Sequence, residues 1–281
     1  MKTHNPMPPA SATAAHPVVP RPHRWRTFLY AVPIGILGGL IGLGGAEFRL
    51  PVLVGPLNYP PRRAVPLNLA VSLVTLAASL ALRGRTLSLT ALTPLSTAIG
   101  ALITGAVVFA FIGATLATRL SSRMFGRIIV GLLIAIGSAL IIEAFLPTEG
   151  AGLIPARLEW QIAAGLLLGS VLGLVSSVLG VAGGELIIPT LVFGFGADIK
   201  TAGTASLLIS LPTVVVGLLR YARRGAFMDR APLRATVLPM GVGSGLGAVI
   251  GGLLVGVIAA SVLKLLLGVI LIVSALRVRH H

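Results

Sequence analysis

The sequence predicts an all-α polytopic membrane protein with about eight membrane segments in two homologous halves. Hydrophobic residues make up 56% of the 281 residues and charged residues only 10%, which is too little charge to cover a soluble domain of this length. Apolar runs long enough to cross a bilayer recur along the chain. A Gly-rich motif near residue 45 also returns near residue 183, which indicates an internal duplication.

The apolar segments define the predicted helices. The first and the fifth are too long for one crossing, and each contains a Gly-Gly pair, a Glu and a Pro. We expect each to break into two shorter helices joined by unwound backbone. At membrane depth, the N–H and C=O groups of such backbone can form hydrogen bonds only with other parts of the protein or with water in a cavity. The predicted segments are 27–57, 64–82, 88–117, 124–146, 158–195, 202–221, 232–258 and 261–277.

These segments divide the chain into four regions. They are a disordered basic cytoplasmic tail (1–26), a first membrane repeat (27–146), a linker loop (147–157) and a second membrane repeat (158–281). The tail is rich in Pro, and the apolar run after it lacks a small-residue cleavage site. We therefore expect a multi-pass protein of the inner (plasma) membrane with its N-terminus in the cytoplasm. The sequence leaves open whether His280 and His281 are native or remnants of a purification tag.

Charge and composition exclude several classes of function. The net charge of +15 would suit a nucleic-acid partner, but the basic residues flank the apolar runs, as the positive-inside rule expects of cytoplasmic loops. The chain has no cysteine and its five histidines lie in the tails, so nucleophilic catalysis and zinc chemistry have no recognisable constellation. We expect no enzyme activity, no metal, no cofactor and no nucleic-acid partner.

A shift of 138 residues superimposes the two halves. If each broken segment crosses the membrane once, the halves are parallel. If each enters and returns on the same side, each half has three full crossings and the repeats are inverted. The distribution of Lys and Arg favours the inverted arrangement. The matched pairs include Gly42 with Gly180, Gly45 with Gly183, Glu47 with Glu185, Pro51 with Pro189, Ser72 with Ser210 and Thr75 with Thr213.

The two break motifs, 42–51 and 180–189, are candidates for a solute site. Glycine lets a ligand approach the backbone, and a half-helix that begins after the glycines would point free N–H groups at an anion. Duplicated transporters use such breaks for substrates near the bilayer midplane. The alternative is that the glycines only allow close helix packing. The residues expected to contact the substrate are Gly44, Gly45, Ala46, Gly183 and Gly184.

Charged residues adjoin both breaks. Glu47 and Glu185 are two of only seven acidic residues and lie in apolar surroundings. Each could carry a coupling proton or bind a cation, or could instead hold the unwound backbone by hydrogen bonds. Arg49, which aligns with Ile187 of the second half, is expected to pair with Glu47 or to extend to the interface rather than to contact an anionic substrate.

The helix after each break carries polar residues spaced i, i+4 and i+7, and therefore on one face. Such a stripe in an apolar helix faces a cavity or another helix rather than lipid. It would line a substrate path or join helices. The two stripes are Asn68, Ser72 and Thr75 in the first half and Ser206, Ser210 and Thr213 in the second.

The paired break motifs, each followed by an Ala and a Ser-Leu helix, resemble those of the sulfite-exporter TauE/SafE family of bacterial membrane permeases. The resemblance covers the chain from residue 27 onward. It implies an inner-membrane secondary carrier of small sulfur-containing anions, such as sulfite and organosulfonates. The chain departs from the family pattern at Ala46 and Ala182, where the family often has glycine, and at Arg49.

The resulting hypothesis is a secondary transporter of a small anion, sulfite or an organosulfonate, in which Glu47 and Glu185 either carry coupling protons or hold the unwound backbone. Its partners would be the anion and the lipid bilayer, and a homo-oligomer is left open. One alternative is a channel-like pore for cations or water, lined by the two glutamates. Another is a membrane assembly partner that transports nothing.

Overall fold

The computed structural model describes residues 23–86, 89–116, 122–145, 152–179 and 183–279, and these residues form a bundle of helices. A 3₁₀ turn (Leu89–Leu95) precedes α4, a π-helical turn (Thr190–Gly194) continues α7, and a second one (Leu233–Val237) precedes α9. The helices are α1 Arg24–Ile41, α2 Ala46–Val54, α3 Pro61–Thr86, α4 Ser96–Leu116, α5 Ser122–Phe145, α6 Leu158–Leu179, α7 Gly184–Pro189, α8 Ile199–Arg223, α9 Leu238–Leu254 and α10 Ala260–Arg279.

All eight predicted segments contain helices, which is consistent with a polytopic membrane protein. Within the described ranges, five helical stretches are long and apolar enough to cross a membrane. The predicted tail lies outside the described residues, apart from its last four positions, and so does much of the predicted linker loop. The five stretches are Arg63–Arg85, Thr90–Phe111, Leu158–Ser176, Ile199–Arg223 and Leu233–Leu254.

The first long segment breaks and turns back on itself. Gly45, which precedes α2, has a φ of +74°, in the left-handed region that favours glycine. It lies against Ile34, partway along α1. Leu53, near the end of α2, shares a core cluster with Ala31, which lies closer to the start of α1. The helix α2 therefore runs back along α1 and forms a hairpin with it.

The fifth segment forms a second hairpin. Gly183, at the position equivalent to Gly45, has a φ of +79°. The backbone N–H groups of Leu153 and Ile154, just before α6, donate to the carbonyl oxygens of Phe193 and Gly194, each at 2.9 Å. The segment that follows α7 therefore returns to the start of α6.

Small residues hold the long helices together. Gly35 faces Ser244 and Gly39 faces Ala248, so α1 and α9 run parallel at a separation that leaves no room for a Cβ at either glycine. The helices α4 and α6 pack in the same way, through the glycines of α6. Close backbone approach of this kind is how helices associate where lipid removes the hydrophobic driving force.

The remaining helix pairs pack the N-terminal half of the chain against the C-terminal half. Arg83, near the end of α3, contacts Lys200 near the start of α8, whereas Leu69 lies beside Gly217 farther along α8, so these helices are antiparallel. The helix α5 packs on α10. Contacts between the N-terminal and C-terminal helices are thus reciprocal, because α1 packs on α9 as α6 packs on α4.

Candidate solute site at the two breaks

The tips of the two hairpins meet inside the bundle. A Cβ placed on Gly184 would lie 3.0 Å from the Cα of Leu43 and 3.3 Å from the Oγ of Ser206. Gly203, one turn earlier in α8, is in backbone contact with Gly42. Residues 180–182 of the second break lie outside the described residues. The structure therefore places Gly184 of the second break against the first break, with the polar stripe of α8 beside it.

A fully buried arginine, Arg49 of α2, occupies the first polar stripe. Its guanidinium group does not extend to the interface, and it hydrogen-bonds to groups other than Glu47. All five acceptors are neutral, and the Nε has no partner among the described residues. The acceptors are Asn68 Oδ1 at 3.3 Å, Ser72 Oγ at 2.9 Å, Thr75 Oγ1 at 3.1 Å, Ser244 Oγ at 3.2 Å and the Gly44 carbonyl oxygen at 3.1 Å.

The two glutamates occupy equivalent places. Glu47 lies in the first turn of α2 and Glu185 in the first turn of α7, where a negative charge interacts favourably with the helix dipole. Both carboxyl oxygens of Glu47 are buried, and neither has a hydrogen-bond partner within the described part of the chain.

The second polar stripe differs from the first in its hydrogen bonding. Thr213 donates to the carbonyl oxygen of Ile209 at 2.9 Å, one turn back in α8. The hydroxyl groups of Ser206 and Ser210 are buried, and neither has a partner among the residues that the structure describes. In the first stripe, by contrast, the Oγ of Ser72 donates to its own helix at 2.8 Å and accepts from the guanidinium group.

A second buried arginine, Arg83 of α3, was not anticipated from the sequence. It donates to the last carbonyl groups of α1, which have no partner within that helix. The spacing of the sequence could have indicated its position, because Ser79 and Arg83 follow Asn68 by 11 and 15 residues and so lie on the same helical face as the first stripe. Its bonds join Nε and Nη2 to Gly39 O at 3.2 and 3.0 Å, Nη2 to Leu40 O at 2.7 Å, and Nη1 to Lys200 O at 3.3 Å and Thr204 Oγ1 at 3.2 Å.

Comparison with known proteins identifies a family of membrane proteins. A family model described as "Sulfite exporter TauE/SafE" matches residues 5–140 and 165–280, which together cover nearly the whole chain. No curated protein and no solved structure matches the chain. Within the described ranges, no group of His, Asp or Glu side chains could hold a metal ion.

Proposed function

Because the chain belongs to the sulfite exporter TauE/SafE family, we propose that it is a secondary transporter of a small anion, sulfite or an organosulfonate. The observation that supports this proposal is the buried guanidinium group of Arg49, whose hydrogen-bond acceptors are all neutral. The carboxyl group of Glu47 interacts with this cation electrostatically, but no carboxylate is hydrogen-bonded to it, so its donors stay directed at neutral groups that an anion could replace. One of its bonds goes to Gly44, next to the contact between Leu43 and Gly184. The guanidinium group of Arg49 would therefore attract an anion that reaches this contact.

The hairpins support an inverted repeat as part of this proposal. Each broken segment returns toward the end from which it started, and α3 runs antiparallel to its counterpart α8. Three full crossings and one hairpin per half, with the hairpins entering from opposite faces, would place one central site within reach of both sides. The basic residues 220–234 would then lie with the N-terminus in the cytoplasm, as the positive-inside rule expects at an inner membrane.

Flux measurements with reconstituted protein test the proposal. Proteoliposomes loaded with sulfite should release it in a saturable manner, with counterflow when sulfite is also present outside. Arg49→Gln should slow release at least tenfold, Arg49→Lys should slow it less, and Arg85→Gln, at an exposed position on α3, should leave it unchanged. Each variant is compared only after its melting temperature and size-exclusion profile show that it is folded. A folded wild type that moves neither sulfite nor an organosulfonate contradicts the proposal, and a non-saturating conductance favours the pore.

Proton coupling is proposed for Glu47 because both of its carboxyl oxygens are buried and neither accepts a side-chain hydrogen bond from a described residue. A carboxyl group in this position is free to take up and release a proton during the cycle. The test is the change in lumenal pH, measured with a trapped dye, when sulfite is added to proteoliposomes. Glu47→Gln should abolish the pH change while sulfite exchange continues. The matching variant Glu185→Gln shows whether the second half also takes part in proton coupling. An unchanged pH response in both variants would exclude a proton-coupling role for the two glutamates.

A further inference from the structure

We propose that the anion binds at the polar stripe of the second half only, where Ser206 and Ser210 present unused hydroxyl groups. The corresponding stripe of the first half is filled by the guanidinium group of Arg49. This inference rests on the proposed anion transport and adds that the duplicated protein has one anion site rather than two related ones.

The 138-residue shift makes the two stripes directly comparable. It aligns Arg49 with Ile187, which is almost completely buried and has no polar group to offer. It also aligns Ser72, which accepts a hydrogen bond from the guanidinium group, with Ser210, which has no partner among the described residues. The second half therefore keeps the polar stripe but lacks the side chain that fills it in the first half.

Among the described buried serines, Ser79 of α3 also has a hydroxyl group without a partner, but Ser206 and Ser210 form the pair that lies one helical turn apart. A serine in a buried helix commonly donates to the carbonyl oxygen four residues earlier, as Ser72 does. Ser206 and Ser210 do not make this bond, although both are fully buried. A buried hydroxyl without a partner is unfavourable, and the cost is recovered when a ligand accepts its hydrogen bond. The two serines are one helical turn apart, about 5–6 Å between Cβ atoms, so two oxygen atoms of one oxyanion can accept from both.

The hydrogen-bond donors around the second stripe favour an anion over a metal cation. Arg83 donates to Thr204, two residues before Ser206 in α8, and Arg49 bonds to the first break. The nearby acidic residues are Glu185, which follows Gly184, and Glu47, which interacts electrostatically with Arg49. A metal cation would need several carboxylate or imidazole ligands, and no three His, Asp or Glu side chains of the described residues lie close enough together to hold one. The geometry therefore suits a small oxyanion such as sulfite or the sulfonate group of an organosulfonate.

Two kinds of variant test the site by equilibrium binding of sulfite and of methanesulfonate to purified protein. Ser206→Ala combined with Ser210→Ala removes only hydroxyl groups that bond to no described residue, so the melting temperature without ligand should not fall. Ile187→Arg introduces the side chain that fills the first stripe, with Ile187→Met as the control for volume. The serine pair and Ile187→Arg should each weaken binding at least tenfold, whereas Ile187→Met and Ser72→Ala should stay within about threefold, a difference of under 0.7 kcal/mol.

The outcomes separate the two proposals. If wild type binds and transports sulfite but the serine pair binds it equally well, the single-site inference is wrong and the proposed function stands. If Ser72→Ala weakens binding as much as the serine pair does, both stripes bind anion and the inference is also wrong. If wild type moves no anion, or if sodium or guanidinium ions protect the protein where sulfite does not, the anion class fails and the inference fails with it. Should Ile187→Arg not fold, the serine pair decides alone.

Discussion

Arg83→Met tests whether one side chain holds the end of α1 in place. The guanidinium group supplies donors to the carbonyl oxygens of Gly39 and Leu40, at distances from 2.7 to 3.2 Å. Methionine fills much of the same space but leaves both buried carbonyl groups without a donor, at about 1–3 kcal/mol each. Removing the cost of burying a charge offsets part of this loss. We expect a net loss of about 2–4 kcal/mol in the free energy of unfolding.

The assay is thermal unfolding in detergent, followed by tryptophan fluorescence. The expected loss corresponds to an apparent melting temperature about 5–10 °C lower. Hydrogen exchange in a peptide covering residues 38–46 should also accelerate, because the first chain reversal loses its anchor. Arg85→Met is the matched control, two residues away and exposed, and should behave as wild type. Arg83→Lys should be intermediate, since an ammonium group cannot bridge the same set of carbonyl groups. Equal melting temperatures for Arg83→Met and Arg85→Met would refute the reasoning.

Three further changes test the packing of the bundle. Gly251→Leu places a side chain against the α1 backbone and should abolish a monodisperse size-exclusion peak, whereas Gly256→Leu faces open space and should not. Asp198→Ala removes the side-chain cap of α8 and should cost about 1 kcal/mol in thermal stability, with most of it restored in Asp198→Asn. Tyr59→Phe and Thr236→Val each remove the same 2.7 Å hydrogen bond between these two side chains. The double variant should therefore lose less thermal stability than the sum of the losses in the two single variants, and strict additivity would mean that the bond contributes nothing.

The positions of the helices and of the breaks were predictable because they depend on local sequence. An apolar run of fixed length sets each helix, and a glycine that tolerates positive φ sets each reversal, as at Gly45 and Gly183. The polar stripes were predictable for the same reason, because spacing alone places their members on one face. These features need no knowledge of which helices become neighbours.

The partners of the buried charges were not predictable from local sequence. Arg49 bonds to Ser244, 195 residues away, and this contact exists only because α9 packs in the bundle against α1 and α3. An isolated arginine near a helix end is expected to extend to the interface. Here five acceptors from three parts of the chain, namely α3, α9 and the first break, stabilise the buried guanidinium group. Arg83 was overlooked for a similar reason, since beside Arg85 it resembles an ordinary basic loop end.

The account depends most directly on two hairpins that enter from opposite faces of the membrane, and labelling of single cysteines tests this arrangement. The natural chain has no cysteine, so each variant carries one thiol. Pro60→Cys, Met228→Cys, Leu153→Cys and Val257→Cys all lie at exposed positions between helices. In sealed vesicles treated with a membrane-impermeant maleimide, we expect positions 60 and 228 to react from one side and 153 and 257 from the other. Reaction of 60 together with 257, and of 153 together with 228, would mean that each broken segment crosses once, and it would contradict the account.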